Sequence, residues 1–152
     1  MNQTRRHLLK ATGAFGVLMA VGITTESQAL ALDNNPAVFE AKTLAEALAA
    51  LGGTPVNSAE INLITPDIAE NGAVVPVSVT SAIPNTQEIY ILVEHNPNPA
   101  SAGFIFPEGT LPFVQTRIKM GQTANIIAVV KAEGKLYSFT KETKVTLGGC
   151  GG

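Results

Sequence analysis

One cysteine, Cys150, stands near the end of the sequence inside Gly148-Gly149-Cys150-Gly151-Gly152. It is the only thiol in the chain, so an internal disulfide cannot form and any thiol chemistry is carried here. The four flanking glycines predict a mobile arm, because Gly has no Cβ to restrict φ and ψ and chain ends fray unless tied down. From Leu147 to Cys150 such an arm reaches about 10 Å at roughly 3.3 to 3.6 Å per residue, and its bare backbone is thin enough to enter a narrow channel on another protein. An ordinary thiol with a pKa near 8.5 is only about 3% thiolate at pH 7, and a nucleophilic Cys needs a neighbouring cation, His or helix N-terminus. The nearest cation along the sequence is Lys144, and His95 is far off in sequence. The pattern therefore favours presenting a thiol to other proteins over catalysis by it, with activation coming from whichever enzyme the arm enters. A solvated thiol in an oxidising compartment is liable to dimerise or to climb the oxidation ladder, so keeping one there argues for use.

The remaining reactive residues exclude more than they include. With one Cys and two His, His7 and His95, multi-cysteine zinc clusters and iron-sulfur sites are out. No nucleophile and base pair, phosphate-cradling glycine loop or metal-ligand spacing is visible. The expectation is a protein that is not an enzyme, holds no metal and needs no cofactor beyond a covalent group on Cys150. His95, between Glu94 and Asn96-Pro97, reads as a solvated or hydrogen-bonding loop residue. Arg117 and Lys119 alternate with Thr116, Ile118 and Met120, which marks an outward face open to a partner. Phe104 and Phe106 read as core.

The N-terminus reads as an export signal over residues 1–31. Arg5 and Arg6 precede the apolar run Ala11 to Ile23, and Ala29-Leu30-Ala31 is an A-x-A cleavage pattern. The run is shorter than the roughly 20 residues a membrane span needs. Arg5-Arg6 followed by Leu8-Leu9-Lys10 is similar to the twin-arginine signal, with Leu8 at the usual Phe position; an ordinary secretory signal is the alternative. Both routes lead out of the cytoplasm. Cleavage after Ala31 leaves 121 residues with seven Lys and Arg against eleven Asp and Glu, a formal charge of about −4. Nucleic acid is then not an expected partner, since binding it takes a basic surface, and no membrane insertion is expected.

What must position the arm is a small β-rich domain over residues 32–147. Hydrophobic residues make up 45% of the chain and charged residues 14%, enough apolar material for a core, while 14 Gly and 9 Pro indicate many turns. Asn34-Asn35-Pro36 starts a helix, Leu44, Leu48 and Leu51 line one face of it, and Gly52-Gly53 with Pro55 end it, giving one amphipathic helix of about four turns. Seven strands follow: Glu60 to Ile64, Val74 to Thr80, Glu88 to Glu94, Gly103 to Phe106, Phe113 to Met120, Ala124 to Lys131 and Leu136 to Leu147. The continuous apolar runs Ile89 to Val93 and Ile126 to Val130 predict central strands covered on both faces. Turns fall at Glu70-Asn71-Gly72, where Gly72 can take a positive φ, at Asn96-Pro97-Asn98-Pro99, a stiff loop, and at Glu133-Gly134. The expected fold is mainly β, an immunoglobulin-like antiparallel β-sandwich with one N-terminal helix, followed by the arm over residues 148–152.

With these residues in view, the chain resembles the SoxY family, sulfur-carrier subunits of the periplasmic Sox thiosulfate-oxidation system. The resemblance rests on the terminal Gly148-Gly149-Cys150-Gly151-Gly152, on Pro66-Asp67-Ile68-Ala69-Glu70-Asn71-Gly72 with Val74-Val75-Pro76-Val77, on Asn96-Pro97-Asn98-Pro99 and on Thr116-Arg117-Ile118. It implies a carrier whose Cys150 holds thiosulfate as a cysteine S-thiosulfonate while separate Sox enzymes attach, hydrolyse and oxidise it. It further implies a heterodimer with SoxZ, a β-sandwich partner exported together with this chain. Two other classes compete: a carrier that activates the Gly151-Gly152 carboxylate to a thiocarboxylate, and an exported structural sandwich that cross-links through Cys150.

Overall fold

Two strands hold the centre of the molecule because their sequences are apolar on both faces. β5 (Thr86–Val93) and β8 (Ala124–Ala132) pair antiparallel, with Ile89 opposite Val130 and Ile91 opposite Ala128. Alternation along a strand sends successive side chains to opposite faces. Ile89, Ile91 and Val93 accordingly enter one apolar cluster with Ile126, Ala128 and Val130, whereas Tyr90, Leu92, Ile127 and Val129 enter a second. The continuous apolar runs of the sequence thus become the middle layer of a three-layer arrangement.

The computed structural model describes residues 35–146, all within one compact unit. The elements are α1 (Pro36–Glu40), α2 (Leu44–Leu51), β1 (Val56–Asn57), β2 (Ile61–Ile64), β3 (Ile68–Ala69), β4 (Val75–Ser81), β5, β6 (Ala100–Ile105), β7 (Phe113–Ile118), β8 and β9 (Lys135–Val145). One sheet runs β1-β9-β8-β5-β6, with β3 also paired to β9, and the other runs β2-β4-β7. The first cluster fills the space between the sheets, and Phe104 and Phe106 pack against it as expected of core aromatics. The immunoglobulin-like sandwich is the observed fold. All pairings are antiparallel except the two short contacts of β1 and β3 with β9, which are parallel. Those two-residue strands went unanticipated because two residues carry no periodicity.

On the outer face of the larger sheet lie the helices, and here the structure differs from the single helix expected. Ala41 has ψ 138° and Thr43 is extended, which breaks the segment into two helices. The physical reason is a capping box: the Glu46 amide donates to Thr43 Oγ1 at 3.2 Å, and the Thr43 amide donates to Glu46 Oε2 at 3.3 Å. α2 therefore starts anew at Leu44. Asn35 precedes α1 without a side-chain cap and instead donates from Nδ2 to the Ala50 carbonyl at 2.7 Å. Gly52 and Gly53 end α2 with φ of 123° and 127°, the positive-φ ending for which Gly is suited.

The helices sit close to the sheet because β6 has a glycine facing them. A Cβ on Gly103 would lie 2.8 Å from the Tyr90 ring and 3.1 Å from Phe39 of α1, whose ring centroids are 6.4 Å apart. Gly103→Ala is expected to destabilise the fold by about 1–3 kcal/mol through overpacking, read as a lower denaturation midpoint at unchanged slope. An unchanged midpoint would show that the helical layer shifts freely.

Candidate functional site

Several of the residues singled out for chemistry lie outside the described residues: the export pair Arg5 and Arg6, Cys150, and the glycines Gly148, Gly149, Gly151 and Gly152. The structure does describe the place from which Cys150 is tethered. β9 ends at Val145, and the last described residue is Thr146, four residues before the thiol.

Strand registers show which loops surround this exit. Thr143 pairs with Ala124, Val93 with Ile126, Ala100 with Leu92 and Ile118 with Val75. The end of β9 is therefore at the same end of the sandwich as the β3–β4, β5–β6 and β7–β8 connections. These connections contain three of the segments that stood out in the sequence: Glu70-Asn71-Gly72, Glu94 to Pro99, and Lys119 onward.

Hydrogen bonds join those loops into one unit. The Met120 amide donates to the Gly72 carbonyl at 2.7 Å. Asn96 spans to the β7–β8 connection, its Nδ2 donating to the Lys119 carbonyl at 2.7 Å and its Oδ1 accepting from the Gly121 amide at 3.2 Å. Asn98 Nδ2 donates to the Phe39 carbonyl at 2.9 Å, and Lys42 Nζ donates to Asn98 Oδ1 at 3.3 Å. The asparagines of Asn96-Pro97-Asn98-Pro99 thus bridge the helices and the β7–β8 connection, beyond the stiffening role its prolines suggest.

Gly72 has a different role from the positive φ expected of it, since it is not among the positive-φ glycines. What it needs is the missing side chain: a Cβ there would collide with the Met120 carbonyl oxygen and sit 2.9 Å from Val145 Cγ1. This close approach could not be anticipated, because it depends on a residue from a distant strand.

The charged residues at this end are mixed in sign, and two pairs of them meet. His95 is half-exposed, with Nδ1 3.8 Å from the Glu94 carboxylate, and Glu94 accepts from Asn125 Nδ2 at 2.8 Å. His95 is a loop residue, as expected from its neighbours, now placed at the end of the sandwich where β9 finishes. Lys141 Nζ is 2.9 Å from Asp67 Oδ1 and donates to the Thr65 carbonyl at 2.8 Å. Arg117 lies exposed on β7, paired across from Pro76, while Ile118 and Met120 are buried, which matches the alternation read from the sequence. Among the described residues no group of three His, Cys, Asp or Glu is placed to hold a metal, and no helix is long and apolar enough to cross a membrane.

Comparison with known proteins gives this end its context. A family model described as the sulfur oxidation protein SoxY matches residues 47–150, more than half of the chain, and the match runs through the whole sandwich to Cys150. The chain belongs to the SoxY family. Among solved structures it is similar to the sulfur carrier protein SoxY from Chlorobium limicola f thiosulfatophilum, at 41% identity and a TM-score of 0.59, covering 65% of this chain and 91% of that one. A superoxide reductase (neelaredoxin) from Ignicoccus hospitalis T24K is similar at 18% identity and a TM-score of 0.50, covering 57% of this chain and 79% of that one; this likeness concerns the fold alone. No curated protein is similar enough to this chain to count as a match. SoxY membership makes this a sulfur-oxidation protein. Sequence reasoning missed the residues that hold the end of β9, namely Thr65, Ala69, Thr123 and Thr143. Each is a small residue whose part depends on strand register, and only the segment Pro66 to Gly72 had any sequence signal.

Proposed function

We propose that this chain is a periplasmic sulfur carrier in thiosulfate oxidation, with Cys150 as the covalent attachment point. The observation that carries the reading is the SoxY family match that extends to Cys150, the chain's only cysteine. The SoxY of Chlorobium limicola is itself described as a sulfur carrier protein. Gly148, Gly149, Gly151 and Gly152 make the attachment point a swinging arm.

The chemistry sets what partners must supply. Joining the Cys150 thiol to the outer sulfur of thiosulfate forms an S–S bond, releases the thiol proton and removes two electrons. Loading therefore requires an oxidising enzyme that accepts those electrons. Hydrolysis of the resulting cysteine S-thiosulfonate adds water, releases sulfate and leaves a persulfide on Cys150 for further oxidation. None of these steps needs a cofactor resident on this chain. The carrier works as a heterodimer with a SoxZ-like subunit and as a substrate of the Sox enzymes. Co-purification of a 1:1 complex tests the first of these partnerships.

Arg5 and Arg6 form the address for twin-arginine export in this reading, and cell fractionation of an Arg5-Arg6 to Lys-Lys variant checks it. The variant is expected to stay in the cytoplasm; normal export would assign the general secretory route.

Intact mass after thiosulfate turnover tests the carrier reading. An adduct on Cys150 removable by reductant is expected. A mass change confined to the Gly152 carboxylate would assign thiocarboxylate chemistry instead, and disulfide dimers alone would assign cross-linking.

A further inference from the structure

The antiparallel ladder between β8 and β9 ends where Ala124 pairs with Thr143. Beyond that point Lys144, Val145 and Thr146 have no strand partner on the β8 side, and residues past the end of a ladder ordinarily fray. Here all three backbone amides are nevertheless engaged, on alternating sides. Lys144 donates to the Asp67 carbonyl at 3.0 Å and Thr146 donates to the Ala69 carbonyl at 3.1 Å. Between them the Val145 amide donates to the side-chain hydroxyl of Thr123 at 2.9 Å.

The segment that accepts the outer two bonds is itself fastened to β9. Thr65 and Thr143, both buried, face each other with their hydroxyls 2.9 Å apart, and Thr143 also donates to the Pro66 carbonyl at 3.0 Å. Lys141 holds Thr65 and Asp67 from the same strand. On the other flank Gly72 brings its backbone against Met120 and Val145. A short parallel strand and one threonine hydroxyl thus extend the order of β9 to Thr146.

We infer that Thr123 and the segment Thr65–Gly72 are a clamp that holds the end of β9, Lys144 to Thr146, and so fixes the point and the direction from which Cys150 is presented. This rests on the reading of Cys150 as the sulfur-carrying residue. From a held Thr146, Cys150 is at most about 13 Å away along the chain at roughly 3.3 Å per residue. Release of Lys144 to Thr146 moves the last held residue back to Thr143 and adds three residues, or about 10 Å, to that bound. Effective concentration of a tethered group falls roughly as the −3/2 power of tether length, so this lengthening alone lowers it about twofold, and loss of a fixed exit direction lowers productive presentation further. Thr123 is a positioning residue in this scheme; it acts through Val145.

The test uses the full exported chain with Thr123→Val, which keeps the shape and removes the acceptor, and Thr123→Ser, which restores a hydroxyl. Gly72→Ala is the second variant, disturbing the clamp from its other flank. Amide hydrogen exchange at Val145 and Thr146 is expected to quicken about tenfold or more in Thr123→Val and Gly72→Ala, and to return toward the parent in Thr123→Ser. A nitroxide on Cys150, the sole cysteine, is expected to broaden amides farther from Thr146 in the Val and Ala variants. Thiosulfate-loading kcat/KM with the partner enzymes is expected to fall about two- to tenfold, with the rate toward a small thiol reagent changing less than about twofold. Unchanged exchange in both variants would show that no clamp exists. Quickened exchange with undiminished loading would show a clamp that positions nothing. Exchange and label broadening do not depend on sulfur chemistry, so failure of the carrier reading would show separately, as loading that persists without Cys150.

Discussion

Cys150→Ser is expected to abolish sulfur loading entirely and to shift the thermal midpoint by no more than about 1–2 °C. The chemical half of this expectation follows from the bond being made. A serine oxygen cannot form the S–S bond that holds thiosulfate, and with a single cysteine in the chain no other thiol can substitute. The structural half follows from the size of the change and from where the core lies. Cys to Ser replaces a single side-chain atom, and the apolar clusters of the described residues are built between Val38 and Val145. A midpoint shift that small corresponds to a few tenths of a kcal/mol at most for a domain of this size. Intact mass after turnover and a thermal melt on the same preparation decide the matter. Persistent loading in the Ser variant would remove Cys150 from the chemistry, while a fall of 5 °C or more would place the residue in the packed structure.

The sequence made the sandwich legible wherever pattern and burial coincide. Ile89 to Val93 and Ile126 to Val130 are apolar without interruption, and the structure gives the reason: one face of each meets the opposite sheet and the other meets the helices. Glu133-Gly134 makes the expected hairpin, with φ of 51° and 74° at the two turn residues and Ala132 paired to Lys135. Strand limits agree within a few residues; the largest difference is β6, which begins at Ala100, where small residues give little strand signal. The break between the two helices had a readable signal in Thr43-x-x-Glu46, masked by the leucine spacing and by Pro36 at the start. The surroundings of the end of β9 were less legible. Cys150 and its flanking glycines stood out by composition alone, whereas the loops around the end of β9 are joined through pairings between residues distant in sequence, such as Gly72 with Met120 and Thr123 with Val145.

This division has a functional counterpart. Residues that build the layers are replaceable by others of like size and polarity, provided the periodicity is kept. Gly72 is not of that kind, because any side chain would enter the space of a backbone carbonyl. Nor is Thr123, whose hydroxyl stands in for a missing strand.

Stiffening the arm should separate the thiol from its use. Replacing Gly148 and Gly149 by Pro fixes φ at two successive positions, and replacing them by Val adds branched bulk beside the backbone. Neither change alters the sulfur atom or introduces a charge near it. The reaction of Cys150 with a small reagent from open solvent is therefore expected to stay within about twofold of the parent. Turnover by partner enzymes has stricter demands, because the segment must fit whatever channel leads to the reacting atoms and bring sulfur to attack distance there. A displacement of about 1 Å costs on the order of 100-fold, and loss of that size in enzyme-dependent turnover is the expected result for both variants. The two rates measured on one preparation give the decision. Undiminished turnover would show that reach and slimness are not what the glycines provide. A parallel loss in both assays would show that they govern the reactivity of the thiol itself, and the origin of that reactivity would then have to be sought in groups at the arm-bearing end, with His95 and Lys144 first among them.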